Sequence, residues 1–473
     1  MISLFAGAGG LDIGLEQAGF TTRVINELEP HACETLRQNK RLSSLRPEEF
    51  AAWFEAQMQQ RCYAKLSTVD RQALFKQLSG AAGKNRYLHQ ADILEGDVRG
   101  ISTQELLRRA GMPAGQLTLI AGGPPCQPFS RAGKRETVES DDGKLFLEFV
   151  RIVREASPRW FLFENVKGIA QSRTLVPYIQ CPRCKAATPL PFAKRPDALD
   201  GVLTHTDCPV CRHPSCEVDI QDVRGGSLDI ILNEFKRIGY QCHHTLLNAA
   251  DFGVPQSRER LFIVGSRDGE TFEWPTPTHR SQKQIDSDQH PGQMDLLSPM
   301  QEPIQMKSWA TVRETLWTHG HPEFHQLDPA KAVIWVKNVV RPHDEPVCWT
   351  LDRPSPTVGA HQAAKLCIAP DGVPPEQLAR QQWHTRGHRQ SDLPPVYVKH
   401  AYLSDVELMA LQTFPTGWYL YGTRMERAFQ IGNAVPPKLA QAVGNAILDA
   451  CGNPPISIGN VMCEHAANSY AHA

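Results

Sequence analysis

No apolar run in this sequence approaches the ~18 residues that a bilayer span requires. The first ten residues also lack the basic stretch and apolar core of a secretion signal. Both absences predict a cytoplasmic chain that touches no membrane, nucleoid-associated if the cell is prokaryotic. Nor is there an excess of either charge, since 50 Lys and Arg stand against 51 Asp and Glu for a formal net charge of −1. That excludes a uniformly basic nucleic-acid binder, so any contact with DNA or RNA has to come from a local patch. A disulfide framework is not indicated, because an odd count of 13 cysteines in a long cytosolic chain reads as metal binding, catalysis or burial. Internal repeats are absent. What remains is ordinary globular composition, 41% hydrophobic and 21% charged over 473 residues, which at roughly 150 residues per domain makes about three compact units.

The first 30 residues alternate as a Rossmann-type unit does: an apolar strand (2–5), a glycine turn (6–10), a helix with Leu11, Leu15 and Ala18 on one face, and a second strand (22–25) ending at Asn26 and Glu27. Further strands are expected at 117–121, 160–163 and 261–265, each near a helical stretch such as 145–156 or 228–238. This alternation predicts an α/β fold with a parallel sheet. Three segments interrupt it. Residues 41–88 have helical spacing (Phe50, Trp53, Phe54, Met58; Leu74, Phe75, Leu78) and no readable function. Residues 178–217 are rich in Cys, Pro and Arg. From about 271 to 400 the pattern dissolves into Pro, His and Gln, a candidate second domain. Regular patterning returns over 401–452 to complete the first domain, and 453–473 reads as a disordered tail.

Two loops carry candidate chemistry. Phe5-Ala6-Gly7-Ala8-Gly9-Gly10 follows a strand and opens a helix, where glycines let the backbone approach a ligand. A dinucleotide fingerprint would need glycine where Asp12 stands, and an acid at a helix start disfavours a pyrophosphate. Glu27 is placed to accept ribose hydroxyls, so S-adenosylmethionine, cationic and free of phosphate, fits better than NAD. The second loop, Gly122-Gly123-Pro124-Pro125-Cys126-Gln127-Pro128-Phe129-Ser130, puts a cysteine at a strand's carboxyl end, the edge where open α/β sheets bind ligands. Prolines hold such a thiol in one place, and nearby arginines would lower its pKa.

With these two loops the chain resembles the DNA (cytosine-5)-methyltransferases. The likeness continues, in order, through Gly96-Asp97, Asp142 to Phe146, Phe163-Glu164-Asn165-Val166, Pro255 to Arg260, Leu411 to Pro415 and Gln430 to Pro437. It implies a Rossmann-like methyltransferase sheet with a smaller, separate target-recognition domain, and transfer of a methyl group from S-adenosylmethionine to carbon 5 of a flipped cytosine in a specific duplex sequence. By the same resemblance Cys126 is the nucleophile and Glu164 the carboxyl group that serves the ring nitrogen N3. Arg258 holds the cytosine O2 and the glutamate, and Arg260 is a neighbour that orients the site. Phe5, Gly7, Gly9, Pro125, Leu145 and Asn433 line the cofactor pocket, Glu27 takes the ribose, and Asp97, with Asp92 as a rival, accepts from the adenine amino group. Arg131, Lys134 and Arg135 match a loop that closes over the flipped base, and Thr357 in Ser355-Pro356-Thr357-Val358 matches a DNA-backbone contact. The alternatives are a tRNA cytosine-5 methyltransferase or an inactive DNA-binding relative; the dedicated second domain and the presence of Cys126, Glu164 and Arg258 speak against them.

Two departures from the family stand out. Before Leu411 the chain reads Leu403-Ser404-Asp405-Val406-Glu407, which keeps an acid and loses a base, so weaker local packing is expected. The other is the insertion, where Cys181-Pro-Arg-Cys184 and Cys208-Pro-Val-Cys211 have the form of a zinc-ribbon-like site, a structural Zn²⁺ held by four thiolates, with His205, His213 and Cys216 as spare donors. The insertion follows the Glu164 strand and could reach DNA flanking the target. Within 377–400, Arg380, Arg386, Arg389 and Lys399 face Asp392 alone, a basic stretch in which Arg386 and Arg389 are candidate DNA readers. The expected partners are double-stranded DNA and a cognate restriction endonuclease, with the protein itself a monomer.

Overall fold

The computed structural model describes residues 1–60, 63, 66, 68–84, 87–125, 141–171, 173–189, 205–208, 210–282, 284–285, 306–319, 328, 332–338, 347–359, 362–368 and 403–452. Strand β1 (Ile2–Leu4) is central and fully buried, and the chain turns from it into α1 (Gly10–Ala18) and β2 (Val24–Glu27). Helix α2 (Pro30–Ser44) follows, then the inserted helices α3 (Pro47–Met58) and α4 (Thr68–Ala81), before β3 (Asp92–Glu95), α5 (Thr103–Ala110), β4 (Leu119–Gly122), α6 (Asp141–Ala156) and β5 (Trp160–Val166). These five strands run parallel in the order β5-β4-β1-β2-β3. The strand order reverses between β1 and β4, so the crevice at their carboxyl ends is where this fold binds ligands.

After β5 come a short helix α7 (Gly168–Gln171) and a separate four-stranded antiparallel sheet of β6 (Arg173–Gln180), β7 (Ala187–Pro189), β8 (His205–Thr206) and β9 (Cys216–Arg224), in the order β7-β6-β9-β8. Helix α8 (Gly226–Arg237) then leads to β10 (Gln241–Asn248) and β11 (Glu259–Ser266), which complete the central sheet of seven strands. Here the expectation of an all-parallel sheet is corrected: β11 runs antiparallel to β5 and to β10. The connection explains it, because β10 takes the parallel place and a tight passage over 249–258 returns the chain directly along it, with Ala249 N–H donating to Arg258 O at 2.9 Å. Over 271–400 the sequence offered no regular pattern, yet the structure holds β12 (His279–Arg280), β13 (Lys307–Ser308), α9 (Val312–His319) and a three-stranded antiparallel sheet of β14 (Ala332–Asn338), β15 (Val347–Thr350) and β16 (Gln362–Ile368).

The return segment contributes α10 (Asp405–Leu411), α11 (Arg424–Asn433) and α12 (Pro437–Gly452). Helix α12 presents Leu439, Ala440, Val443, Ala446, Ile447 and Ala450 on one buried face, the spacing of an amphipathic helix. It lies against α1, and the approach is close enough that a Cβ on Gly14 would fall 2.3 Å from the Pro437 carbonyl oxygen. A side chain at Gly14 would therefore force the two helices apart. On the other face of the sheet Phe149, Phe161, Phe163 and Phe235 pack together, Phe161 stacked on Phe235 at 4.0 Å. Each such ring contributes roughly 1.5–3 kcal/mol by leaving water. The inserted helices bury Phe50, Trp53, Phe54 and Leu78 around Tyr419, whose backbone exchanges two hydrogen bonds with the Asn39 side chain (2.7 and 2.9 Å). They thus clamp the return segment to α2.

Candidate active site

Phe5, Gly7 and Gly9 all adopt positive φ (56°, 55° and 82°), so the turn after β1 coils tightly before α1 begins. Glycine supplies that geometry at two of the three positions without strain. Glu27, at the carboxyl end of β2, is almost buried and organises this turn. One carboxylate oxygen accepts from Gly7 N–H at 2.6 Å, and the other accepts from the N–H groups of Leu28 and Glu29, both at 2.8 Å. Burial raises its pKa while these three N–H groups pull it back. Asp12, expected to colour the open helix start, is instead fully buried beside Ser3, neither oxygen has a hydrogen-bond partner, and burial lifts its pKa to about 7.

Asp97 and its rival lie at opposite ends of one strand. Asp92 opens β3 opposite Val24 and pairs with Arg109 at 2.7 Å, away from the ligand edge. Asp97 lies just past the end of β3, where Gly96 N–H donates to Glu27 O at 2.9 Å. It caps a 3-10 turn over Val98–Gly100 and is held by the Arg99 backbone and guanidinium, which keep its pKa below the usual carboxylate range.

Glu164 lies near the carboxyl end of β5, opposite Phe262 of β11, with Arg260 one diagonal step away opposite Val166. The period-two alternation of antiparallel strands puts both side chains on one face. They meet there, Arg260 Nε to Glu164 Oε1 at 3.2 Å. Glu164 is buried, which raises its pKa, and the positive charges of Arg260 and then Arg258 oppose the rise. The carboxyl group rests on the loop after β4, since a Cβ on Gly123 would lie 2.7 Å from Glu164 Oε2, and Asn165 Nδ2 donates to Pro124 O at 3.0 Å. Gly123 is three residues from Cys126, which with Arg131, Lys134, Arg135, Arg386 and Arg389 lies outside the described residues.

The sequence model of the C-5 cytosine-specific DNA methylase family matches residues 1–50, 84–177 and 220–449. The chain belongs to that family. Among related methylases, the Type II methyltransferase M.AquIA of Picosynechococcus is 32% identical over 318 residues, covering 67% of this chain and 88% of that one. M1.HphI of Haemophilus parahaemolyticus is 27% identical over 459 residues (94% and 86%), and M.FnuDI of Fusobacterium nucleatum 25% over 452 residues (94% and 93%). As a DNA cytosine-5 methyltransferase the chain is also an S-adenosylmethionine-dependent enzyme. The family match passes over 51–83 and 178–219, most of the α3–α4 pair and most of the cysteine-rich sheet.

In this methylase the two arginines sit differently from the arrangement expected. Arg258 does not touch Glu164 through a hydrogen bond; it is wholly buried, and its Nη atoms donate to Val358 O (3.2 Å) and Gly432 O (2.8 Å). Its position just before β11 aims it at the neighbouring segments, whereas Arg260, inside the strand, faces the glutamate. The same knot includes Gln256, whose Oε1 accepts from Val358 N–H at 3.0 Å, and the Ser257 N–H to Ser355 O bond at 2.9 Å. Thr357 Oγ1 donates to Ser257 O at 2.9 Å and so joins the same knot. Gly432, one residue before the exposed Asn433, ties this knot to α11.

The departure before Leu411 does not loosen the packing. Ser404 and Glu407 form a reciprocal capping box on α10, and the missing base is supplied from α11, Arg427 Nε to Asp405 Oδ2 at 2.6 Å. In the cysteine-rich sheet, one Sγ each from Cys181, Cys184, Cys208 and Cys211 lies within 4.8 Å of the other three. The two knuckles repeat one geometry, with Cys184 N–H donating to Cys181 Sγ and Cys211 N–H to Cys208 Sγ, each at 3.5 Å. Such donors favour thiolates, and the Cys184 N–H brings Cys181 down to about 6. Cys216 is buried beside them with its Sγ on His213 O at 3.5 Å, while the His205 side chain lies outside the described residues.

Proposed function

We propose that this methylase acts on a cytosine swung out of duplex DNA at a defined sequence, marking host DNA alongside a cognate restriction endonuclease. The observation that carries this reading is the buried Glu164–Arg260 pair seated on Gly123, at the root of the Cys126 loop and on the same sheet edge as the Glu27 turn. When bound, S-adenosylmethionine supplies the methyl group that an activated carbon 5 accepts. Glu27 and the turn of Phe5, Gly7 and Gly9 would take its ribose and methionine part, Asp97 its adenine amino group, and Pro125, Leu145 and Asn433 the remaining walls. The Cys126 thiolate adds to carbon 6 of the ring, whose electrons move toward carbon 5. Glu164, whose pKa burial raises, serves N3 as a proton donor, and Arg260 holds the cytosine O2 beside it. Arg258 is a positioning residue that keeps the base of β11 fixed to residues 355–358 and to Gly432. Loss of the carbon 5 proton and of the thiolate then restores the ring.

The four thiolates of Cys181, Cys184, Cys208 and Cys211 suit a zinc ion, which when bound there supplies a crosslink and no chemistry because no coordination position stays open. Duplex DNA carrying 5-fluorocytosine at methylated positions tests the central step, since fluorine at carbon 5 cannot leave as a proton. The wild-type protein is expected to be trapped covalently through Cys126. An adduct or full methylation with Cys126→Ser would remove the nucleophile from this residue.

A further inference from the structure

We propose that the tip of the cysteine-rich sheet is a second, sequence-independent DNA contact, holding phosphates outside the methylated site through Arg183, Lys185 and Arg212. The inference rests on duplex DNA being the substrate. Three observations lead to it. The root of the sheet lies at the ligand edge: β6 starts just after β5 and α7, its first residue Arg173 is paired with Arg224, and Lys167 beside the root pairs with Glu259 between the two site arginines. From that root the β6–β9 ladder runs eight residue pairs to the knuckles, about 26 Å, which corresponds to the rise of roughly eight base pairs. A ladder of that length is long enough to span to DNA flanking the flipped base.

The second observation is charge. Arg183, Lys185 and Arg212 are all exposed, and in the knuckle segments 181–186 and 206–214 the only acid is Asp207. Of the ladder acids on β9, Asp219 and Asp222 sit nearer the root, while Glu217 occupies the last rung, opposite Gln180, leaving the three cations in excess over Asp207 and Glu217 at the tip.

The third is backbone geometry. Lys185 and Arg212 each follow the second cysteine of a knuckle, each closes its turn by donating its N–H to the first cysteine's carbonyl (3.0 Å in both), and each has positive φ, 59° and 57°. Glycine or asparagine takes that conformation most readily, and a long side chain there costs on the order of 1 kcal/mol. Two equivalent turns carry the cost with a long basic residue in both. Such strain points to a use for the side chain, and a matched pair of cations at an exposed tip suits a polyanion.

Asparagine keeps the turn while removing the charge, so the test uses Lys185→Asn and Arg212→Asn with Arg183→Gln in the full-length protein. Binding to a mixed-sequence duplex of about four helical turns is measured across salt concentrations, together with zinc content and methylation of duplex DNA. We expect the triple variant to keep its zinc and its methylation of saturating DNA, and to lose about 2 to 3 from the slope of log affinity against log salt, ~0.9 per phosphate released. An unchanged slope overturns the proposal. So does loss of zinc together with the slope, which would assign the three cations to balancing the thiolates. A wild-type protein that fails to methylate duplex DNA at all would instead bring down the reading of the active site.

Discussion

Glu164 is held out of water against Gly123, with its pKa raised by burial and restrained by Arg260. If its carboxyl must be protonated to serve N3, single-turnover methyl transfer falls as pH rises through that raised pKa. Glu164→Gln, whose amide donates without titrating, should lose this alkaline limb along with roughly 10²–10⁴-fold in rate. A variant that keeps the limb would place the titrating group elsewhere. Asp12 offers a cleaner measure of a buried acid, because burial dominates its shift and it lies outside the proposed chemistry. Its folded pKa of about 7 stands above the ordinary 3.8, so between those values the folded chain retains a proton that the unfolded chain has released. Stability therefore declines with rising pH across that interval and levels off above it. Denaturant titrations at several pH values should show Asp12→Asn removing a decline on the order of 4 kcal/mol. The residue types of the site were legible in the sequence, down to Glu27 and Glu164. Which of Arg258 and Arg260 faces the glutamate was not, because two arginines spaced by two have the same alternation, and only the point where β11 begins separates them.

At the scale of elements, the strands that read clearly were those with buried apolar runs, β1, β2, β4, β5 and β11. Strand β10 (Gln-Cys-His-His-Thr-Leu-Leu-Asn) lies at the sheet edge and is half polar, so periodicity did not find it. The reversed direction of β11 was equally hidden, since an apolar strand reads the same in either sense. The cysteine-rich insertion was the opposite case: ligand spacing alone announced two knuckles, and the structure brings the four sulfur atoms together. Metal analysis of protein purified without chelators should find one zinc per chain, lost in Cys181→Ser or Cys208→Ser, with methylation of saturating DNA retained. Protein without zinc and with four reactive thiols would mean that the β6–β9 ladder closes the tip unaided.

For the whole molecule, the hydrogen-bonded knot of Gln256, Ser257 and Arg258 with residues 355–358 joins the chemical half of the protein to the half expected to read sequence, roughly 274–400. If recognition resides there, Arg386→Ala or Arg389→Ala changes one of two readouts. A base-reading arginine relaxes sequence choice at one position by ~1–3 kcal/mol, while a phosphate-binding one weakens all sequences evenly and lowers the salt slope. Genome-wide methylation mapping at two salt concentrations distinguishes them, and no change in either would move recognition out of that stretch. The seam between α1 and α12 bears on how such a protein is made. Gln441 Nε2 reaches the Gln17 carbonyl across 424 residues of chain, and Gly14 packs under Pro437. During synthesis the apolar face of α1 leaves the ribosome early and waits, at roughly 5–20 residues per second, for a partner that is translated only after the recognition region. A nascent chain therefore cannot close the α1–α12 seam before the region expected to choose the DNA has been made, and chains cut short ahead of α12 are expected to leave the sheet open.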